Sequence, residues 1–246
     1  MRGWRAFPTL VFTDSEFQHT AHVIAHPFAT EIFTPECFTK PLGAKQRRYR
    51  GYHELAFLHP RYFRADQTVL DRLGEPTKAG YAIIRLSSWN TFHDVGEQGI
   101  AGHLGRFVAH LSRFVHPLIV PEQGIELGDL ERYRLKVPPH LFHDVIAFAR
   151  LVITEGASTA SESACLGVPA VFINSTSRGY LDDQQRRYGL VHCFRDPAPA
   201  ISGALDLLEN PPSPSWLERQ RRRLVNDHVD VTEFLLEQIE RYRPPT

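Results

Sequence analysis

The chain of 246 residues lacks any stretch long and apolar enough for a signal sequence or a membrane span, so a cytoplasmic protein without a transmembrane segment is expected. It also lacks an excess of one charge. Lys+Arg and Asp+Glu both number 28, which leaves no global field to attract nucleic acid or an anionic membrane. Lysine is scarce: Lys40, Lys45, Lys78 and Lys136 are the only ones, and arginine carries the remaining positive charge. The three cysteines, Cys37, Cys165 and Cys193, form no paired motif, so reduced thiols in a reducing compartment are the simplest reading. No internal repeat and no low-complexity segment is present.

What remains is an ordinary globular composition, 42% hydrophobic and 23% charged, long enough for one large or two small cores. The runs "FPTLVF" and "EIFT" read as buried strands, with "EFQHTAHVIAHPF" as a helix between them. "YRGYHELAFLHPRYFRAD" is aromatic and irregular, and "RLGEPTKAG" is rich in turn residues, so a linker falls between about Pro60 and Ala79. Strands then recur at "YAIIRLSS", "HPLIVP", "YRLKV", "LVITEG", "VPAVFIN" and "LVHCF". Helices are expected at about Gly99–Phe114, His140–Ala149, Thr159–Leu166, Leu181–Tyr188 and Ala198–Leu208. Apolar strands alternating with helices imply an α/β fold with mostly parallel sheets. From Ser215 to Tyr242 the chain is helical, with a break near "NDHVD".

Open parallel sheets bind ligands at the carboxyl ends of their strands, beside helix N-termini. This directs attention to "VITEGASTASESACLGVPAVFIN", Val152 to Asn174. Between a strand and a helix, Gly156, Ala157, Ser158 and Thr159 are small enough for a phosphate to approach the free backbone N–H groups. Ser158 or Thr159 can cap the helix or donate a hydroxyl to the anion. Glu162, about one turn further, suits the two hydroxyls of a ribose. Stabilising the helix start is the plainer role for these residues, and the conjunction with the small-residue turn favours the nucleotide.

The segment "EGASTASESACLGVPAVFI" resembles the donor-nucleotide segment of GT-B-fold proteins, with the pattern Gly-Ala-x-Thr-x-x-Glu and then Gly-x-Pro. The lipid-II-forming N-acetylglucosaminyltransferase and the non-hydrolysing UDP-N-acetylglucosamine 2-epimerases carry similar segments. Through "TDSEF", "TPECF", "YRGYHELAFLHP", "RLSSWNTFHDVGEQGI", "TEGASTASE" and "GYLDDQQRRYGL", the chain is similar to a prokaryotic domain-of-unknown-function family of GT-B-like proteins. The resemblance implies that Gly156, Ala157, Ser158 and Thr159 hold a diphosphate and Glu162 a ribose. It places Asp183 and Gln184 at the donor sugar and Gly51 at a cleft-facing turn. It implies a partial N-terminal α/β domain (1–60), a linker (61–79), a nucleotide-sugar-binding Rossmann-like domain (80–212) and C-terminal helices (213–246) packing back on the N-terminal part. About half of a typical first domain is then missing, on an expected ~100–200 residues per domain.

Nucleotide-sugar binding, most simply of a UDP-sugar donor with an unknown acceptor, is therefore the expectation, with metal-independent glycosyl transfer as the implied chemistry. No Asp-x-Asp motif is present, and no cofactor or metal is expected. The alternatives are chemistry like that of the 2-epimerase, for which Asp14, Glu16 and Glu155 are candidate carboxylates, or a non-catalytic nucleotide-binding remnant. A homo-oligomer or a partner chain could supply the missing half. The catalytic candidates are His93 and Asp94, in the loop after "YAIIRLSS", and Asp14, after the first strand. Capping by Asp94 and Asp14 and a surface His93 are the plainer alternatives. Arg85 reads as a salt-bridge partner. His19, His22 and His26 line one helical face and make the best zinc case, though one helix seldom completes a site. His140 and His143 are weaker still. "KQRRYRGYH" suits an anionic ligand near the cleft better than RNA, and "RQRRR" at 219–223 reads as a solvated helix face.

Overall fold

The apolar runs become strands of two sheets. The computed structural model describes residues 8–87, 100–176 and 178–243. β1 (Leu10–Phe12), β2 (Glu31–Pro35) and β3 (Gln46–Tyr49) form one sheet in that order. β4 (Tyr81–Leu86), β5 (His116–Pro121), β6 (Leu151–Thr154), β7 (Ala170–Ile173) and β8 (Val191–Phe194) form the other, in the order β5-β4-β6-β7-β8. Every pairing of these strands is parallel, with Ala82 opposite Leu151 and Val152 opposite Ala170. Parallel strands need crossovers that cover both faces, which is why β6 and β7 are buried along their whole length and apolar but for Thr154.

The helices are α1 (His19–Ala25), α2 (Leu55–Leu58), α3 (Val69–Leu73), α4 (Leu104–Leu111), α5 (Phe142–Ala147), α6 (Ala157–Cys165), α7 (Gly179–Tyr188), α8 (Pro197–Glu209), α9 (Pro214–Asn226) and α10 (Val231–Glu240). On one face of the larger sheet, Ile84 and Ile153 pack with Phe107 and Leu111 of α4 and Ala204 of α8. On the other face, Ile83, Val152 and Phe172 pack with Leu181 of α7 and Leu224 of α9. That cluster continues without a break into Phe33, Tyr49, Tyr52 and Leu55 beside the smaller sheet. The two lobes therefore share a core. α10 returns to the first lobe, where Phe234 stacks on Tyr49 with ring centroids 4.9 Å apart. Gly51 lies under this helix, since a Cβ there would be 2.6 Å from Val231 Cγ2.

Three details differ from the sequence reading. "YRLKV" is not a strand: only an isolated bridge joins Arg134 to Ile119, and Pro138 and Pro139 then remove the next donors. β3 forms within "KQRRYRGYH", read as a loop near the cleft, because it is an edge strand whose Arg47 and Arg48 are exposed, and α2 forms inside the stretch expected to be irregular. The helix expected over "EFQHTAHVIAHPF" is shorter, with α1 giving way at His26–Phe28 to a 3-10 turn carrying Pro27.

Candidate functional site

In the larger sheet β4 leads to β5 on one side, and the chain returns to place β6 on the other. The strand order therefore reverses between β4 and β6, and the crevice outside their carboxyl ends is the topological switch point. Arg85 of β4 and the Glu155–Gly156 turn after β6 flank that crevice. Glu155 is buried and its Oε2 accepts from the backbone N–H of Ser87 at 2.9 Å, joining the two strand ends.

Gly156 is the extended N-cap residue of α6, and no side chain caps it. Its own N–H donates to Thr154 Oγ1 at 2.9 Å. The amides of the first helical turn have no acceptor within the helix. The Arg85 guanidinium reaches over this turn and donates from Nη1 to Thr159 Oγ1. Its Nη2 stands 3.8 Å from Glu122 Oε1. A cation at the positive end of a helix dipole is unfavourably placed on its own; Glu122 offsets this in part, and a further anion at the helix N-terminus would be favoured. The Arg85 side chain is only partly buried, so an anion can approach from solvent.

Arg85 also borders a cavity of about 340 Å³, lined by Val120, Pro121, Leu135, Val137, Pro139 and Phe142 together with Glu122. Ligand sites are commonly concave, apolar volumes of roughly 300–1,000 Å³ with a few fixed polar groups.

The structure places the expected residues as follows. Ala157 and exposed Ser158 stand at the N-terminus of α6 with Gly156, and Thr159 is buried against Arg85. Glu162 lies on the same helix, its Oε1 3.3 Å from His143 Nε2 of α5. Asp14 pairs with His53, Oδ2 to Nδ1, at 3.2 Å. Asp183 is buried and its carboxylate is engaged: Oδ2 accepts from the Tyr52 hydroxyl at 2.7 Å and Oδ1 from Arg186 at 2.8 Å. Gln184 is fully buried and donates from Nε2 to Ser161 Oγ at 2.8 Å. His93 and Asp94 lie outside the described residues. The His22 and His26 rings stack at 4.5 Å, and no group of three or more metal-ligating side chains gathers among the described residues.

Sequence reasoning passed over His53 and Glu54. Glu54 is the N-cap residue of α2 and is enclosed between the lobes. Burial first, and the negative charge of Asp14 second, raise its carboxyl to about 7, against opposing hydrogen bonds that include Ser161. For His53, burial works against the charged form, but the hydrogen bond and charge of Asp14 outweigh it and the imidazole titrates above its ordinary value. The signal was a His-Glu pair directly before the apolar run "LAFL".

No protein-family model matches the chain, and no curated protein matches it. Solved structures do. MnaA of S. aureus, solved with UDP, superimposes with a TM-score of 0.61 at 11% identity, over 96% of this chain and 76% of that one. A Listeria monocytogenes protein assigned as a UDP-N-acetylglucosamine 2-epimerase gives 0.55 at 14% identity, over 94% and 73%. The glycotransferase of kitacinnamycin gives 0.51 at 14% identity, over 88% of this chain and 55% of its own. This chain thus spans 55% to 76% of the length of these three structures. The two facing parallel α/β lobes and these neighbours define a GT-B-like fold.

Proposed function

We propose that this chain binds a nucleotide sugar at the switch point, most simply a UDP-sugar, as the donor of a glycosyl transfer to an acceptor hydroxyl. One observation carries the reading: Arg85, paired at 3.8 Å with Glu122, is held at an uncapped helix N-terminus with its guanidinium partly open to solvent, where an anion can join it. The diphosphate sits on the Gly156–Thr159 turn and the guanidinium. Glu162, steadied by His143, accepts from the ribose hydroxyls, and the base enters the cavity beside Arg85. His93 and Asp94 are assigned to the leaving diphosphate by their place in the sequence, shortly after β4. Asp183 and Gln184 are assigned to the sugar end, Asp183 by fixing Tyr52 and Gln184 by fixing Ser161. The UDP in the MnaA structure supports the choice of nucleotide, at the level of fold alone.

Calorimetric titration with UDP tests the reading, using wild type and Glu162→Ala. Losing hydrogen bonds to a charged acceptor costs roughly 1–3 kcal/mol, or about 5- to 150-fold in Kd. A folded wild type that takes up no UDP or other nucleoside diphosphate would sink the proposal.

A further inference from the structure

Two cavities adjoin at the end of the larger sheet opposite the switch point. The first, about 570 Å³, lies at the connection from α8 to α9, where Leu166, Val168, Leu208, Pro212 and Leu217 stand with Arg150 and Arg221. The second, about 550 Å³, is bordered by Phe63 and Phe148 together with Arg64 and Arg221. Ala147, Leu166 and Arg221 line both, so the volumes share a wall. Arg150 and Pro169 directly precede β6 and β7, which places this wall at the amino ends of those strands. The nine residues of α6 separate it from the Gly156–Thr159 turn by about 13 Å.

Arg221, on α9, is half-buried between the two volumes. Among the described residues no hydrogen bond or ion pair engages its guanidinium, and Nε is buried without a partner. Buried donors are ordinarily satisfied, so an arginine left in this state calls for an acceptor. Glu218, one turn earlier, is the one carboxylate among the described wall residues, and it accepts from Arg222 Nε at 2.7 Å instead. Arg150 donates to the Ala79 carbonyl at 2.7 Å, which orients its guanidinium without neutralising it. The negative end of the α6 dipole favours a cation at this place, yet it supplies no acceptor for Nε. Gly167 admits the arginine: a Cβ there would stand 3.0 Å from Arg221 Cβ and Cδ, and its φ of +81° suits glycine alone.

We propose that the adjoining cavities form a second ligand site, for an organic acid with an apolar body. The acid group pairs with the Arg221 guanidinium, and the body lies along Leu166, Val168 and Leu217. Charge narrows the occupant to an anion, because Arg64, Arg150 and Arg221 are set against one carboxylate that is already engaged. An arginine fork takes a carboxylate through two parallel hydrogen bonds. Size narrows it to a small molecule, since both volumes fall within the roughly 300–1,000 Å³ usual for such sites. The site shares no residue with the switch-point crevice, so it stands whether or not a nucleotide binds there.

Calorimetry on the whole chain with decanoate, decanol and acetate tests the proposal. Decanoate should bind saturably, one per chain. Decanol lacks the charge and acetate the apolar body, so each should bind at least about 10-fold more weakly. Arg221→Gln should weaken decanoate by about 10-fold or more, the loss of a charge-assisted pair, while Arg85→Gln leaves it unchanged. If Arg221→Gln does not fold, Pro211→Glu serves in its place: the position is exposed on the same wall, and the added carboxylate should repel decanoate and lower its affinity. No saturable heat with decanoate, equal uptake of decanol or acetate, or decanoate affinity unaltered in the folded variant each overturns the proposal. None of these outcomes touches the reading of the nucleotide site, which UDP tests separately.

Discussion

Replacing Glu54 by Gln keeps the size of the side chain and removes its ability to ionise. The native carboxyl is raised to about 7 from an ordinary 4.5 by burial and by Asp14. Below pH 4.5 it is protonated in both folded and unfolded chains, and the wild type carries no penalty. Between 4.5 and 7 the unfolded chain releases the proton and the native one retains it, so native stability falls as pH rises. Above 7 the penalty is complete, at about 3 kcal/mol. Glutamine never ionises, so Glu54→Gln should match the wild type near pH 4.5 and exceed it by roughly 2–3 kcal/mol at pH 8.5. Urea unfolding at four pH values reads this as a midpoint difference that grows to about 1 M. A difference that stays constant from pH 5 to 8.5 would refute the account of Glu54.

Other substitutions probe the neighbouring contacts. Arg85→Gln should weaken UDP binding by roughly 1.5–3 kcal/mol, seen by calorimetry; unchanged affinity would detach Arg85 from the anion. Gly179→Ala drives a methyl group into the Cys37 carbonyl and the Glu16 carboxylate, both of the first lobe, and should cost about 1–3 kcal/mol in urea unfolding. Tyr52→Phe leaves the buried Asp183 without one of its donors and should cost about 1–3 kcal/mol, with UDP affinity unaltered. A loss below about 0.5 kcal/mol in that variant would mean that the tyrosine hydroxyl is dispensable.

The sheet framework was legible because parallel strands are covered on both faces and so read as plain apolar runs. "HPLIVP" is β5 to the residue, and α8 departs from its expected span by one residue at each end. β3 was not legible: as an edge strand it exposes Arg47 and Arg48, and its pattern is that of a polar loop. Much of the candidate site's meaning comes from partners remote in the chain. Arg85 meets Thr159 across 74 positions and Tyr52 meets Asp183 across 131, distances over which no local pattern carries information. The turn at Gly156–Thr159 was visible because its chemistry is local, confined to one strand end and one helix start. Glu54 was passed over because the carboxylate that perturbs it, Asp14, lies forty positions earlier.

The return of α10 to the first lobe bears on how the chain is made. Val231 covers Gly51, Phe234 covers Phe33 and Tyr49, and the Val229 N–H donates to the Arg50 carbonyl at 2.9 Å. The small sheet is synthesised early, yet the helix that seals it is translated only after the whole second lobe. A nascent chain must therefore carry Phe33 and Tyr49 uncovered while the larger sheet assembles, an interval in which chaperone capture or mispairing of the small sheet competes with folding.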